Sequence, residues 1–170
     1  MTVSLGEVNA LSTEGFVELL GGVFEHAPWV AREAAGLRPF ESVESLHEAM
    51  FALVTAADRD QRLGFLRGHP DLAGAAFRAG SVTAESAGEQ TGASLDRLTA
   101  QEAVEFDRLN RTYRARFGFP FILCMRRNSK DSALAAFRTR LDADGEAEEA
   151  TALEEIRAIT RFRLDALIQP

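Results

Sequence analysis

The sequence predicts an all-α, single-domain fold. Three observations carry that expectation. Apolar residues recur at the i, i+3, i+4, i+7 spacing along most of the chain, capping residues stand just ahead of those runs, and only two segments interrupt the pattern. Phe16, Leu19, Leu20, Val23 and Phe24 form the first stripe, behind Ser12 as N-cap. Leu46, Ala49, Met50, Leu53 and Val54 repeat the spacing behind Ser42 or Ser45. Thr83 opens a short helix that holds Glu89. Thr99-Ala100-Gln101-Glu102 reads as a capping box ahead of Ala103, Phe106, Asn110, Tyr113 and Phe117. Ser129 or Asp131 caps a helix with Leu134, Phe137 and Leu141 inward. The last helix starts near Glu146 and runs almost to the end.

The two interruptions differ in kind. Residues from about 67 to 82 carry Gly68, Pro70, Gly74 and Gly80, which predicts a loop with a short turn. Phe117 through Met125 is an apolar run broken by Gly118 and Pro120. It is too short and too interrupted for a helix, and Pro120 restricts pairing as a strand. A buried extended segment is expected there. Its backbone N–H and C=O groups then need partners, either a ligand or neighbouring side chains.

Bulk properties narrow the function classes. With 170 residues, one domain spanning 1–170 is expected, its core from about 12 to 168. A net charge of −7 gives no basic field for nucleic acid or anionic lipid, so neither partner is expected. The single cysteine, Cys124, excludes an internal disulfide and argues against a cysteine-built zinc site. Cys124 lies in an apolar run with no local base and reads as an inert buried thiol. No stretch of about 18 apolar residues exists and no secretory signal is visible at the N-terminus, so a cytoplasmic location is expected. The acidic stretch Asp142 to Glu149 reads as a solvated turn and helix start.

Candidate chemistry rests on a few side chains. His69 differs from His26 and His47 because Pro70 forces it toward an extended conformation, on a loop flanked by glycine. His47 is expected at the surface and His26 in packing at a helix junction. Ser86, Glu89 and Gln90 fall at i, i+3, i+4 and share one helix side. That side is either a polar outer face or a ligand-binding one, and the small residues Ala87, Gly88, Gly92 and Ala93 would admit a close neighbour. At 100° per residue, Arg163 lies in the middle of the arc of Leu153, Ile156, Ile159, Thr160, Leu164 and Leu167, while Arg157 and Arg161 flank it as surface charges. An inward guanidinium must be paired. It meets an internal carboxylate, such as Glu89, or it receives an anionic ligand; both remain open here.

Several motifs together carry a family resemblance: Glu25-His26-Ala27-Pro28-Trp29, Gly68-His69-Pro70-Asp71-Leu72-Ala73-Gly74, Ser86 through Gln90, Leu109-Asn110 with Tyr113, Phe117 through Ile122, and Ile159 to Leu164 around Arg163. In this order and spacing the chain resembles the 2-oxo-4-hydroxy-4-carboxy-5-ureidoimidazoline (OHCU) decarboxylases, which complete the route from urate to (S)-allantoin. The resemblance implies an all-helical fold, usually homodimeric, that acts on a small ureidoimidazoline without metal or organic cofactor. It implies His69 as catalytic acid/base, with Glu89 and Arg163 fixing the substrate. Pro70, Ser86, Ala87, Gly88, Glu89 and Gln90 would line the pocket, together with the backbone of Phe121, Ile122, Leu123, Cys124 and Met125. Relatives often carry a Lys/Gly-rich turn where this chain reads Arg126-Arg127-Asn128-Ser129-Lys130. A related ureide hydrolase or racemase, or a non-catalytic helical interaction module, are the alternative expectations.

Overall fold

Hydroxyl side chains begin most of the helices, as the local sequence dictates. The computed structural model describes residues 2–169. Here α1 (Leu5–Ala10) opens on a capping box of Ser4 and Glu7, and α2 (Thr13–Leu20) opens on Ser12, whose side chain accepts the Gly15 N–H. Pro28 occupies the first turn of α3 (Pro28–Ala34), where its missing N–H costs nothing. Ser42 and Ser45 cap α4 (Val43–Ala56), and α5 (Arg59–Arg67) and α6 (Ala75–Arg78) follow. Thr83 caps α7 (Ala84–Gly92), Thr99 with Glu102 caps α8 (Ala100–Phe117), and Ser129 caps α9 (Lys130–Arg140). The last helix is α10 (Gly145–Leu167). Strands β1 (Val3–Ser4) and β2 (Ile168–Gln169) form a two-residue parallel pairing. The fold is therefore all-α. Among the described residues no helix is long and apolar enough to cross a membrane.

The chain divides into two compact units, residues 2–65 with 157–169, and residues 66–156. In the first unit α3 packs on α2 and α4. Its core holds Phe16, Leu20, Val23, Phe24, Val30, Leu46, Met50, Val54 and Leu164. In the second, α8 packs on α9, and Tyr113 sits among aromatic rings. Phe121 and Phe137 stack at 3.7 Å, and Tyr113 meets Phe121 edge-on at 5.3 Å. Residues of α10 up to Ile156 belong to the second unit and those from Arg157 to the first.

Several expectations need correction. The first stripe does not continue as helix to Phe24. Helix α2 stops at Leu20, because Gly21 and Gly22 follow and glycine is a poor helix former; Val23 and Phe24 are still buried, from a turn. Helices α1, α3 and α5 are additions to the expected set of elements. His47 is 2% exposed, and its Nε2 lies 2.9 Å from Thr160 Oγ1. It is a core residue, since α4 buries His47 beside Leu46. His26 turns outward instead, with a side chain 63% exposed and a left-handed backbone at φ +51. Within the acidic stretch, Glu148 is buried against Tyr113 and Arg140 rather than solvated.

The interrupted apolar run behaves as expected. Helix α8 ends at Phe117 on Gly118, which takes φ +77, a conformation that favours glycine. Residues 119–125 are all buried, and none before Met125 joins a helix or strand.

Candidate active site

His69 follows α5 on the loop 68–74. It is 9% exposed, and its N–H donates to the Leu66 carbonyl at 3.2 Å. Side chains from three helices hold this loop. Asn110 Nδ2 on α8 donates to the Leu72 carbonyl at 2.9 Å. The Ala73 N–H donates to Gln90 Oε1 on α7 at 2.7 Å, and Arg78 Nη1 on α6 donates to the Ala73 carbonyl at 2.6 Å. Asp71 accepts from Arg114 Nε at 2.6 Å. Gly74 closes the turn: a Cβ there would stand 2.6 Å from the Asp71 Cβ, too close for any other residue. The loop that carries the imidazole is thus fixed by its neighbours rather than left to solvent.

Helix α7 turns its polar side inward. Ser86 and Gln90 are buried at 6% and 5% exposure, and Glu89 is half-buried. The outer-face reading of these three residues is overturned. Ala87 is half-buried and Gly88 points outward. A Cβ at Gly88 or Gly92 would meet nothing within 4 Å, so no protein backbone comes close there.

The buried segment beyond α8 takes its hydrogen bonds from side chains. Glu155 accepts the Cys124 N–H at 2.8 Å, Asn128 Nδ2 donates to the Cys124 carbonyl at 3.0 Å, and Arg140 Nη1 donates to the Ile122 carbonyl at 2.8 Å. Of the two solutions open for these groups, neighbouring side chains satisfy these three. The segment ends in a 3-10 turn, Met125–Arg127, against which α7 packs. Burial pushes the Cys124 thiol pKa up, and the nearby carboxylates of Glu155 and Glu89 add to that rise. The thiol is free and buried, as the apolar run leads one to expect.

Arg163 lies in the first unit. It is 7% exposed, and Nη1 stands 2.9 Å from Glu25 Oε2 and 3.3 Å from the Val23 carbonyl. The internal carboxylate it meets is Glu25, itself 3% exposed, from the same motif as His26 and Trp29. Nothing local in the sequence marked Glu25 as that partner. Lys130, in the basic turn, pairs with Glu102 at 2.5 Å. Among the described residues no three His, Cys, Asp or Glu side chains gather into a metal-ligand set.

Fold and site define a class: an all-α protein whose second unit brings an imidazole-bearing loop, an acid-bearing helix and a buried irregular segment together. Comparison with known proteins gives the family. A family model for OHCU decarboxylase matches residues 9–165, and the chain belongs to that family. It is 41% identical over 162 residues to the 2-oxo-4-hydroxy-4-carboxy-5-ureidoimidazoline decarboxylase of Haloferax volcanii, covering 95% of this chain and 94% of that one. It is 39% identical to the uric acid degradation bifunctional protein of Bacillus subtilis, covering 97% of this chain and 33% of that protein. The crystal structure of an (S)-allantoin synthase matches with a TM-score of 0.80 at 31% identity, over 98% of this chain and 54% of that one.

Proposed function

We propose that this chain decarboxylates 2-oxo-4-hydroxy-4-carboxy-5-ureidoimidazoline to (S)-allantoin in urate degradation, as a carboxy-lyase. Near full-length similarity to OHCU decarboxylases supports the reading. The structural observation that carries it is the hydrogen bond from the Ala73 N–H to Gln90, which joins the His69 loop to the helix of Glu89, while that same helix packs on the turn Met125–Arg127 that ends the buried segment.

The substrate supplies its own electron sink. CO₂ leaves the carbon that bears the hydroxyl and carboxylate, and the bond pair flows into the adjacent ring C=N, whose nitrogen takes a proton. The enol so formed loses its hydroxyl proton as the ureido-bearing carbon gains one, giving the ring carbonyl of allantoin. The protein must orient, desolvate and move protons. We assign proton transfer to His69, either from the hydroxyl or to the carbon. Delivery to one face of the ring sets the (S) configuration. Glu89, with Ser86 beside it, accepts from the hydroxyl or ureido groups. Pro70, Ala87, Gly88 and the backbone of Phe121, Ile122, Leu123, Cys124 and Met125 line the ligand. Gln90 contributes its remaining amide N–H groups, since its oxygen is engaged by Ala73. A share for Arg163 in fixing the substrate stands on the family resemblance alone. So does a homodimeric assembly, which gel filtration tests; a cytoplasmic location follows from the sequence expectation above, and cell fractionation tests it.

The decisive experiment generates the substrate in situ and follows both CO₂ release and the circular dichroism of (S)-allantoin, with and without protein. Accelerated CO₂ release with one-handed product is expected. A hydrolase would release no extra CO₂, and a racemase would change handedness without it. Either result, or no change at all, would overturn the proposal.

A further inference from the structure

The bottom of the second unit's core holds charges that the proposed chemistry does not use. Glu148 is 1% exposed and accepts from the Tyr113 hydroxyl and from Arg140 Nε, the latter at 2.7 Å. The Arg140 side chain is only 12% exposed. Its Nη1 donates to the Ile122 carbonyl at 2.8 Å, and its guanidinium carbon sits 4.5 Å from the centre of the Phe121 ring. One cation thus grips two consecutive residues of a segment that has no helix or strand of its own to fix it. A buried ion pair is weak support for stability, because apolar residues of similar size often do as well. A planar guanidinium that donates Nε to Glu148 and Nη1 to one backbone carbonyl instead gives geometric definition.

We propose that Arg140, braced by Glu148 and Tyr113, is a positioning residue that sets the Phe121–Ile122 backbone against which the substrate lies. The substrate part rests on the decarboxylase reading above. Arg140 acts through the segment and touches no reacting atom. The His69 loop has its own, separate ties to Asn110, Gln90, Arg78 and Arg114. The two halves of the site are therefore held by different side chains, and loosening them should have different kinetic signatures.

The test compares Arg140→Met, Arg140→Lys, Tyr113→Phe and Asn110→Ala, with steady-state kinetics and amide hydrogen exchange on each. Arg140→Met is expected to raise KM about 10- to 100-fold while kcat changes less than about threefold. Its exchange should speed up at the amides of residues 121–125 and leave that of Ala73 unchanged. Arg140→Lys keeps the charge but loses the fork, so it should fall between. Asn110→Ala, which frees the His69 loop, should show the reverse split, with kcat lowered and KM little changed. A folded Arg140→Met protein with wild-type KM, or with exchange unaltered in 121–125, would overturn the positioning role. So would losses in kcat and KM that merely track the unfolded fraction. Should Arg140→Met fail to fold, Tyr113→Phe loosens the brace alone: a raised KM with local exchange supports the role, and neither change overturns it. A wild-type protein that does not turn over the substrate overturns the decarboxylase reading itself. Exchange then still reports whether Arg140 fixes the segment.

Discussion

The side-chain oxygen of Gln90 accepts the backbone N–H of Ala73 at 2.7 Å, four residues after His69. Ala73 is fully buried and takes φ +51, a left-handed conformation that costs a residue with a Cβ about 1–2 kcal/mol. Its carbonyl is held too, by Arg78. Side chains thus fix both polar groups of one strained residue, and that strain persists only because the surroundings over-determine it.

Removing the acceptor exposes this dependence. Gln90→Ala strands a buried N–H and should lower stability by about 1–3 kcal/mol in urea unfolding. Gln90→Glu keeps an oxygen at the same place and should lose less. Equal losses for the two variants would mean that the Ala73 bond is not what Gln90 contributes.

For the reaction, His69→Ala should lower turnover by about 10²–10⁴-fold, the usual worth of general acid–base assistance, with the far-ultraviolet dichroism of the fold intact. Glu89→Gln keeps shape and removes charge, so it should retain substrate binding better than Glu89→Ala if packing dominates, and no better if charge does. Near-normal stereospecific turnover by His69→Ala would remove His69 from the mechanism.

Glu25 and Arg163 form a buried pair within the first unit. Breaking it from one side leaves an uncompensated charge, so Glu25→Leu alone or Arg163→Met alone should destabilise by about 3–5 kcal/mol. Replacing both, as Glu25→Leu with Arg163→Met, should recover much of that loss. Guanidinium unfolding of the two single variants and the double variant closes the cycle, and additive effects would show that the two residues do not couple.

His47 gives a pH dependence whose sign follows from burial. Desolvation lowers its pKa below the ordinary histidine value of 6.5, opposed by Glu48 and Glu44 and reinforced by Arg161 and Arg157. The unfolded chain then binds a proton that the folded chain refuses. The contribution is fully present above the unfolded pKa of 6.5 and is lost as pH falls from there through the folded value. Unfolding free energies measured from about pH 7 down to about pH 5 should fall more for the wild type than for His47→Gln. Parallel pH curves would show that His47 is not the group responsible.

The inward place of Arg163 was readable from helical spacing, but its partner was not, because Glu25 stands 138 positions away. His47 shows the same limit. Its neighbour Leu46 announced a core face, yet only Thr160, 113 positions on, makes burial of the imidazole acceptable. Glu148 looked like one more acid in a charged run until Tyr113 and Arg140 closed over it. The run from Phe117 to Met125 was legible as buried and irregular from Gly118 and Pro120, while the identity of the groups bonding it was invisible.

The capped starts of α2, α4, α7, α8 and α9, the glycine-and-proline breaks, the all-α class and the loop that lifts His69 out of a helix were written in the chain, since caps, turns and apolar spacing act over three or four residues. Which buried charges meet, which way α7 turns its polar side and what secures the backbone beside Cys124 were decided by packing. Those outcomes depend on groups far apart in sequence that become neighbours only once the helices have closed, when leaving a buried donor or charge without a partner becomes costly.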